Sequence, residues 1–285
     1  MPRISVVVPS FRPRKELLEQ LFSSLAAQSL RDFEVVVVDD GSPDPDYVFP
    51  DARFRLVRGD RQRGPAACRN AGAAEAAADA LFFTDTDCRL EEETLASALG
   101  GLERAPVSVG NTLTDVRTPF GGLVALLGFP GGGSLGFDRV WRVNAEGFAQ
   151  SFSSCNVAVR RAYFLETGGF DASFPVAGGE DTVLARRILD SGGAIWYEKA
   201  QRVFHVEKPD LASFLRWQLT RGRGNFHIRR RVPSVRGYLR LRVWTFRNSL
   251  ASAGLVRAPA VLALIVLSVV MQTIGYWQER RRWAE

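Results

Sequence analysis

The chain has 285 residues, of which 46% are hydrophobic and 24% charged, and it carries a formal net charge of +6. This balance excludes an intrinsically disordered chain, and the length allows one substantial core or one core with an appendage. The positive charge is concentrated, because residues 201–257 hold thirteen Lys or Arg but only Glu207 and Asp210 as acids. Such a stretch suits phosphates, either of lipid headgroups or of a nucleotide.

The cysteines indicate a reducing environment. Cys68, Cys88 and Cys155 are odd in number and widely spaced, with no CxxC pair, which favours free thiols over disulfides or a zinc site. The apolar run near the start of the chain is too short for a signal peptide. We therefore expect the protein to work in the cytoplasm.

The first third of the chain predicts alternating strands and helices. Continuous β-branched runs mark the strands, and apolar residues at helical spacing mark the helices. The predicted order is strand 4–11, helix 15–28, strand 33–42, strand 53–58, helix 65–78 and strand 80–87. Apolar strands joined through helices predict an α/β fold with a parallel sheet covered on both faces.

Polar groups follow three of these strands where each one ends, at residues 9–11, 39–42 and 85–87. Parallel strands bring their carboxyl ends to one edge of the sheet, where ligands bind in such folds. Two of the three groups contain a pair of acids. Because neighbouring carboxylates repel each other, this edge needs a cation, a hydrogen-bonding ligand or open water.

Four interpretations of the Asp-x-Asp at 85–87 are open at this point. A haloacid-dehalogenase-type phosphatase loop is disfavoured, because Arg89 stands at its last position and that loop belongs on a first strand. A receiver-like pocket built on Asp39 and Asp40 leaves the Asp-x-Asp unexplained. A divalent cation that bridges a nucleotide diphosphate would use hard carboxylate oxygens, and solvated turn aspartates need no function at all.

The pattern is weaker over residues 107–153, which are apolar and Gly-rich and suit a lid, an acceptor groove or a surface lying on a membrane. They contain no P-loop, because no Gly-Lys-Ser/Thr follows their glycines. Further on, the spacing predicts a helix over 181–191 and a last strand that leads to His205. Taken alone, His205 suits a buried core histidine, and the acids at 180–181 suit a helix N-terminus.

Seven stretches occur in an order and spacing that resemble the glycosyltransferase family 2 enzymes of the GT-A fold: ISVVVPSF, VVVVDDGS, RGPAACRNAG, FFTDTD, CNVAVRRAYFLETGGFD, GGED and FH. The resemblance spans 4–205. It implies a Rossmann-like, mostly parallel sheet with helices on both faces, and sugar transfer from a nucleotide sugar with inversion. It also implies a catalytic domain over 1–208, with a nucleotide-binding half over 1–106 and an acceptor-binding half over 107–208.

The resemblance further implies roles for single residues. The residues that it implies for the nucleotide pocket are Pro9, Phe11, Asp39, Asp40 and, near the nucleotide, Arg69. The residues that it implies for a site for Mn²⁺ or Mg²⁺ are Asp85, Asp87 and His205, and Asp85 would also reach the ribose. The residues that it implies for catalysis are Asp181, as the general base that takes the acceptor's proton, and Glu180, which would orient the acceptor.

A second, shorter resemblance lies in WQLTRGRGN, where Gln218 and Arg221 keep the spacing of the Gln-x-x-Arg-Trp element of processive synthases. Gly222 replaces the tryptophan that would meet the acceptor sugar, which argues against processivity. Arg221 and Arg223 are expected to contact the diphosphate when a loop closes.

The end of the chain is apolar. Residues 258–277 form a charge-free run of twenty residues, which as a helix is long enough to cross a hydrocarbon core of about 30 Å. The alternative is a helix buried in the protein or in an oligomer interface. Residues 209–257 predict a basic amphipathic helical region, and 278–285 form a basic tail. We therefore expect a membrane surface or bilayer as a partner, at the cytoplasmic face of the cell membrane.

Together these features predict a membrane-associated, inverting, metal-dependent glycosyltransferase of glycan, polysaccharide or glycolipid biosynthesis. The expected partners are a UDP-, GDP- or dTDP-sugar donor and a glycan or lipid-linked acceptor, with no nucleic acid, and a homo-oligomer stays open. The alternative is a non-catalytic nucleotide-sugar or polysaccharide-binding module on the same fold. Asp85, Asp87 and Asp181 argue against that module, because binding needs no general base.

Overall fold

The computed structural model describes residues 1–43, 46–128, 143–174, 178–232 and 236–284, the last range by its backbone alone up to residue 242. The chain divides into two compact units. The first unit holds residues 1–112, 143–175 and 180–204, and the second holds 113–142, 176–179 and 205–285.

The elements follow one another as β1 (Ile4–Ser10), α1 (Lys15–Ala26), β2 (Phe33–Asp39), β3 (Phe54–Arg58), α2 (Pro65–Glu75), β4 (Ala80–Phe83), β5 (Cys88–Leu90), α3 (Thr94–Arg104), β6 (Val107–Asp115), α4 (Pro119–Ala125), β7 (Val157–Arg160), α5 (Arg161–Glu166), α6 (Glu180–Asp190), β8 (Ile195–Val206), α7 (Leu211–Arg231) and α8 (Arg236–Ala284). The six elements predicted in the first third are all present. Each ends within a few residues of its expected limit, and Gly or Pro lies close to the ends of β1, β2 and β3.

The sheet has eight strands in the order β3-β2-β1-β4-β7-β6-β8-β5. The first four run parallel, as the sequence predicts, and Ser10 pairs with Asp39 where β1 and β2 end. β7 runs antiparallel to both β4 and β6, so the sheet is mixed. The carboxyl ends of β1, β2 and β4 therefore lie side by side, which gathers the polar groups that follow them.

The core of the first unit lies between this sheet and its helices. The strands β1, β2 and β4 are buried along almost their whole length, which explains why they lack a polar face. α2 packs closely on the sheet because it consists of small residues. A Cβ on Gly72 would lie 2.3 Å from Cγ1 of Val7, so a larger residue there would push the helix away. The rings of Phe83, Phe164 and Phe170 form an aromatic cluster at centroid distances of 5.2 to 5.6 Å.

The second unit is mainly helical where it is described, and it also holds the last residues of β6 and β8. Its core joins α4 to α7 and α8 through buried apolar side chains: Val124, Leu127, Phe214, Ala253, Val261, Leu264 and Ile265. α8 contains a break at Gly254, whose φ of 65° leaves the helical region. The Gly-rich stretch 107–153 thus supplies β6 and α4, and its residues 129–142 lie outside the described part of the chain.

Within the described residues, one helical segment is long and apolar enough to cross a membrane, Val243–Ala284. Only 22% of its most apolar window is buried, which is a low share for a helix of a protein core. The apolar C-terminal helix that the sequence predicts is therefore present.

Candidate active site at the strand ends

The carboxylate of Asp39 ties the ends of β1 and β2 to the loop that follows. The Tyr47 hydroxyl lies 2.8 Å from Asp39 Oδ1 and 2.8 Å from Ser10 Oγ, and the Ser42 amide donates to Asp39 Oδ2 at 3.0 Å. Asp39 is fully buried. Burial first, and the adjacent carboxylate next, raise the pKa of Tyr47 well above its usual value. A nucleotide that reaches Asp39 must therefore share or displace the Tyr47 contact.

Asp40 fastens the approach to α2. The amides of Arg63 and Gly64 donate to its two carboxylate oxygens at 2.7 and 2.8 Å, and its own amide donates to the Ser10 carbonyl at 2.7 Å. Gly64 adopts a φ of 91° immediately before Pro65, so the turn into the helix uses the freedom of glycine. Asp40 thus sets the path of the loop beside the strand ends.

Arg69, on α2, holds two acids that are far apart in the sequence. Its Nη2 lies 2.7 Å from Asp85 Oδ1, and its Nη1 lies 2.9 Å from Glu180 Oε1. Arg69 and Glu180 are each 3% exposed, and the ring of Phe170 lies 5.4 Å from the guanidinium. Burial works against the charge of Arg69, but the two carboxylates outweigh it and raise the pKa of the guanidinium above its usual value. This ion pair fixes the start of α6 against the loop after β4.

Asp181 follows Glu180 in the first turn of α6 and is partly buried. The Thr182 amide donates to its Oδ1 at 2.6 Å, and the Ser154 amide donates to its Oδ2 at 3.4 Å. Burial and the neighbouring charge of Glu180 raise the pKa of Asp181 to about 6. A carboxylate with this pKa is ionised at neutral pH and yet takes up a proton more readily than an ordinary aspartate.

A group that could hold a metal ion lies where β5 and β8 neighbour each other. Ligand atoms of Asp87, Cys88 and His205 all lie within 4.8 Å of one another. Nδ1 of His205 is 2.8 Å from the Val206 carbonyl oxygen. Because a carbonyl only accepts hydrogen bonds, Nδ1 carries the proton, and in the neutral ring Nε2 keeps the lone pair that a metal uses.

The structure thus brings most of the predicted site residues to one edge of the sheet. Pro9 lies on β1 opposite Val38, and Phe11, 37% exposed, directly follows the strand. Arg221 and Arg223 belong to α7 of the second unit, where Arg223 donates to Gln278 at 3.3 Å. Their contact with a diphosphate stays a prediction.

Sequence reasoning missed three contributors to the site. Tyr47 stands in a loop without periodicity, and Ser154 contributes only its amide, so no side-chain pattern points to either. Cys88 directly follows Asp87, which is a usable signal, but the spacing of the cysteines predicts only a free thiol there and not a member of this group. Cys68, Cys88 and Cys155 are all buried and form no disulfide.

The chain is similar in sequence to known glycosyltransferases. The family profile described as Glycosyl transferase family 2 matches residues 5–120. Validoxylamine A glucosyltransferase of Streptomyces hygroscopicus subsp. jinggangensis is 34% identical over 222 residues, which cover 67% of this chain and 52% of that protein. Pre-mycofactocin glycosyltransferase of Mycobacterium tuberculosis is 28% identical over 220 residues, covering 74% and 44%. The chain spans about half the length of these relatives.

The fold is also that of solved glycosyltransferases. The mannosyltransferase PcManGT from Pyrobaculum calidifontis, in complex with GDP-Man and Mn²⁺, has a TM-score of 0.63 at 20% identity over 98% of this chain and 88% of its own. GalNAc-T7 with UDP, GalNAc and Mn²⁺ has a TM-score of 0.58 at 16% identity over 86% and 54%. These structures share the GT-A fold with this chain. The solved structures show the fold, and the sequence profile and the relatives show that the chain belongs to glycosyltransferase family 2.

Proposed function

We propose that the protein is a membrane-associated, metal-dependent glycosyltransferase that moves a sugar from a nucleotide-diphosphate sugar to a hydroxyl acceptor with inversion. The observation that carries this proposal is Asp181. It is an acid with a pKa raised to about 6, held by two backbone amides and placed beside the buried Arg69–Glu180 pair. A module that only binds its ligand has no need of a carboxylate with a raised pKa, whereas a general base needs a pKa near the working pH.

Each residue has a distinct part in the proposed reaction. Asp181 takes the proton of the acceptor hydroxyl while that oxygen attacks the anomeric carbon. The bond from the anomeric carbon to the diphosphate oxygen breaks on the opposite face, and the nucleoside diphosphate leaves with its electron pair. One displacement of this kind inverts the configuration. Arg69 acts as a positioning residue, because it holds Asp85 and Glu180 and has no solvent-exposed surface to offer a substrate.

Asp87 and His205 fit a divalent cation, whereas Asp85 is bonded to Arg69 and is not part of this group. Asp87 offers a hard oxygen and His205 a ring nitrogen, and such a set suits Mn²⁺ better than Mg²⁺. Cys88 is the poor match of the group, since thiolate suits softer metals. When bound, the ion would neutralise negative charge on the leaving diphosphate. Two structures of this fold hold Mn²⁺ with a nucleotide or nucleotide sugar, which favours the same class of donor here.

The acceptor is proposed to be a glycan or a lipid-linked sugar at the cytoplasmic face of the membrane. The second unit supports this by charge, because residues 205–285 hold fifteen Lys or Arg against four acids. Among its relatives, the succinoglycan biosynthesis protein ExoO of Rhizobium meliloti is 26% identical over 76% of this chain. A role in polysaccharide or glycolipid synthesis agrees with such a relative.

The first test identifies the donor. Thermal unfolding of the full chain is followed with UDP-, GDP- and dTDP-sugars, each with and without Mn²⁺. A ligand at a hundred times its Kd adds about 2.7 kcal/mol to stability, so the correct donor should raise the Tm only when the metal is present. Release of nucleoside diphosphate on addition of candidate acceptors then measures transfer. Stabilisation that never leads to transfer with any acceptor would favour the binding module.

The second test separates the base from the metal site. Asp181→Asn should bind donor and Mn²⁺ like the natural chain but lose transfer by about 10² to 10⁴ fold. Asp87→Ala should weaken metal-dependent nucleotide binding. Asp190→Asn, at the exposed far end of the same helix, is the control and should change neither. Full transfer by Asp181→Asn would disprove its role, and a product with retained anomeric configuration would disprove inversion.

A further inference from the structure

The second unit carries a long apolar face on α8. Leu255 and Val256, just after the break at Gly254, are 96% and 94% exposed. Six more apolar side chains recur at intervals of three or four residues, each between 41% and 53% exposed: Leu262, Val266, Val269, Val270, Ile274 and Trp277. These eight residues are here named the apolar face. At about 1.5 Å per residue it is roughly 33 Å long.

The opposite face of α8 packs on α7, and from Ser268 onward it presents buried polar side chains to that helix. Gln218 accepts hydrogen bonds from Ser268 at 3.1 Å and from Gln272 at 2.6 Å, and His227 lies 2.9 Å from Glu279. All five of these side chains are buried. The contacts advance along both helices together, so α7 lies alongside the last third of α8 and points in the same direction.

Two glycines make this approach close. A Cβ on Gly222 would lie 2.2 Å from the carbonyl oxygen of Gln272, and one on Gly275 would lie 2.2 Å from that of Leu219. Small residues that admit a neighbouring backbone are typical of tightly packed helix pairs. α7 and α8 are therefore a fixed pair, and any membrane placement of one determines that of the other.

The charged residues of α7 indicate whether its partner α8 crosses the bilayer or lies on the bilayer surface. If residues 258–277 crossed, Ser268 would lie about 15 Å into the hydrocarbon, near its midplane. Its partner Gln218 would lie at the same depth, and Arg221 and Arg223 would follow in the next turn of α7. Guanidinium groups at that depth are strongly disfavoured. α7 also ends in three consecutive arginines, at 229–231.

We propose that α8 lies in the plane of an anionic membrane surface, with the apolar face in the headgroup boundary and α7 on the water side. This inference rests on the membrane association proposed above and makes it specific. Charge complementarity selects the occupant, because exposed arginines stand at both ends of the face, Arg257 at one and 280–282 at the other. Trp277, which is about half exposed and belongs to the apolar face, suits the headgroup layer.

The first experiment measures binding to two kinds of vesicle, phosphatidylcholine alone and phosphatidylcholine with phosphatidylglycerol. The full chain should bind the anionic vesicles, in part reversibly with salt. The double variant Val266→Glu, Val270→Glu should bind them at least about tenfold less, because two charges enter the buried layer. The matched control is Val116→Glu, Leu165→Glu, whose side chains are equally exposed, at 50% each, and it should bind like the natural chain. Equal loss of binding in both variants would overturn the proposal.

The second experiment tests the in-plane geometry. Ser252→Cys and Arg281→Cys place exposed thiols before the first and after the last residue of the apolar face, while the three native cysteines are buried. In inside-out membrane vesicles from expressing cells, an impermeant maleimide should label both positions before detergent is added. Protection of one position until detergent is added would mean that α8 crosses the bilayer, which would overturn the proposal but leave membrane association intact.

A third outcome concerns a second copy of the chain. A dimer that forms without lipid, and that Val266→Glu, Val270→Glu dissociates, would assign the apolar face to self-association and overturn the proposal. Sugar transfer to a water-soluble acceptor without vesicles is measured in parallel. Loss of vesicle binding with transfer intact would contradict the membrane placement alone, whereas absence of transfer in every condition would contradict the enzymatic function.

Discussion

At the scale of single residues, the site depends on one buried cation among acids. Arg69 bonds Asp85 and Glu180 at once, and so compensates two carboxylates that would otherwise add to the charge around Asp181. Asp181 remains partly buried and next to Glu180, which is why its pKa is raised. The raised pKa that would suit Asp181 to the proposed role of a base therefore also means that its charged form is costly in the folded protein.

The raised pKa of Asp181 predicts the pH dependence of transfer. A base works only when deprotonated, so kcat should be constant above about pH 7 and fall roughly tenfold per unit below a pKa of about 6. The measurement is the rate of nucleoside diphosphate release at saturating donor, acceptor and metal. An acid limb centred near pH 4 would contradict the assignment, because it would report an ordinary aspartate.

The same pKa predicts that Asp181→Asn stabilises the fold at neutral pH. The folded pKa of Asp181, about 6, lies above its ordinary value of 3.8, so its contribution to stability is fully present below pH 3.8 and is lost as the pH rises through 6. Asparagine has no charge to lose and can still accept the Thr182 amide. The Tm of the variant should exceed that of the natural chain at pH 7.5 and approach it near pH 4. A lower Tm at pH 7.5 would contradict this account.

Removing Arg69 should be far more damaging than removing an exposed arginine. Arg69→Met leaves Asp85 and Glu180 without their cation, and loss of one partner of a buried ion pair costs about 3 to 5 kcal/mol. The double variant Arg69→Met, Glu180→Gln should recover part of that loss. Arg186→Met, which breaks the exposed pair with Asp190, should cost at most about 1 kcal/mol. Chemical denaturation of the four chains checks the order, and no recovery in the double variant would refute it.

At the scale of elements, the pairing of α7 with α8 explains the departure from the Gln-x-x-Arg-Trp pattern. Gly222 faces the backbone of α8 at Gln272, so a tryptophan has no room there. Gln218, which keeps the pattern, is fully buried and bonded to Ser268 and Gln272. In this chain the motif serves helix packing, and its sequence likeness to an acceptor-binding element does not by itself indicate contact with a sugar.

Gly222→Ala should therefore destabilise the protein although alanine favours helices. Its Cβ would meet the Gln272 carbonyl oxygen, and overpacking of this kind typically costs about 1 to 3 kcal/mol. Gly100→Ala is the control, because nothing lies within 4 Å of a Cβ at that helical position. It should be neutral or stabilise by up to about 1 kcal/mol. Equal effects of the two substitutions on unfolding would contradict the close packing of α7 and α8.

At the scale of the whole molecule, the candidate active-site acids and the candidate membrane-binding residues lie in different units. The strand ends that carry Asp39 and Asp85 lie in the first unit, together with Asp181 at the start of α6, and this unit has its own core. The second unit holds the basic helices and the apolar face, and its core includes residues of α8 itself. The C-terminal segment is therefore a structural part of the second unit as well as a candidate membrane element.

A chain that ends at Arg257 should show this double role. It should leave the membrane fraction, because the apolar face beyond Val256 is gone. It should also lose the cooperative unfolding of the second unit, because Val261, Leu264 and Ile265 are removed from that core and Phe214 becomes exposed. Limited proteolysis should then cleave within 211–231, while nucleotide still stabilises the first unit. Continued protection of 211–231 would show that α8 is dispensable for this fold.

The sequence by itself determined the first six elements, the α/β class and the gathering of polar groups at one edge, because strand and helix periodicities and the parallel-sheet rule are local or topological. It also determined that a long apolar helix ends the chain. Only the tertiary structure decided the antiparallel place of β7, the bridge from Arg69 to Asp85 and Glu180, and the position of Cys88 beside Asp87 and His205. These depend on which distant segments meet, and no spacing along the chain encodes that. The same reason applies to α8, whose composition suits a bilayer crossing until the arginines of its partner α7 are taken into account.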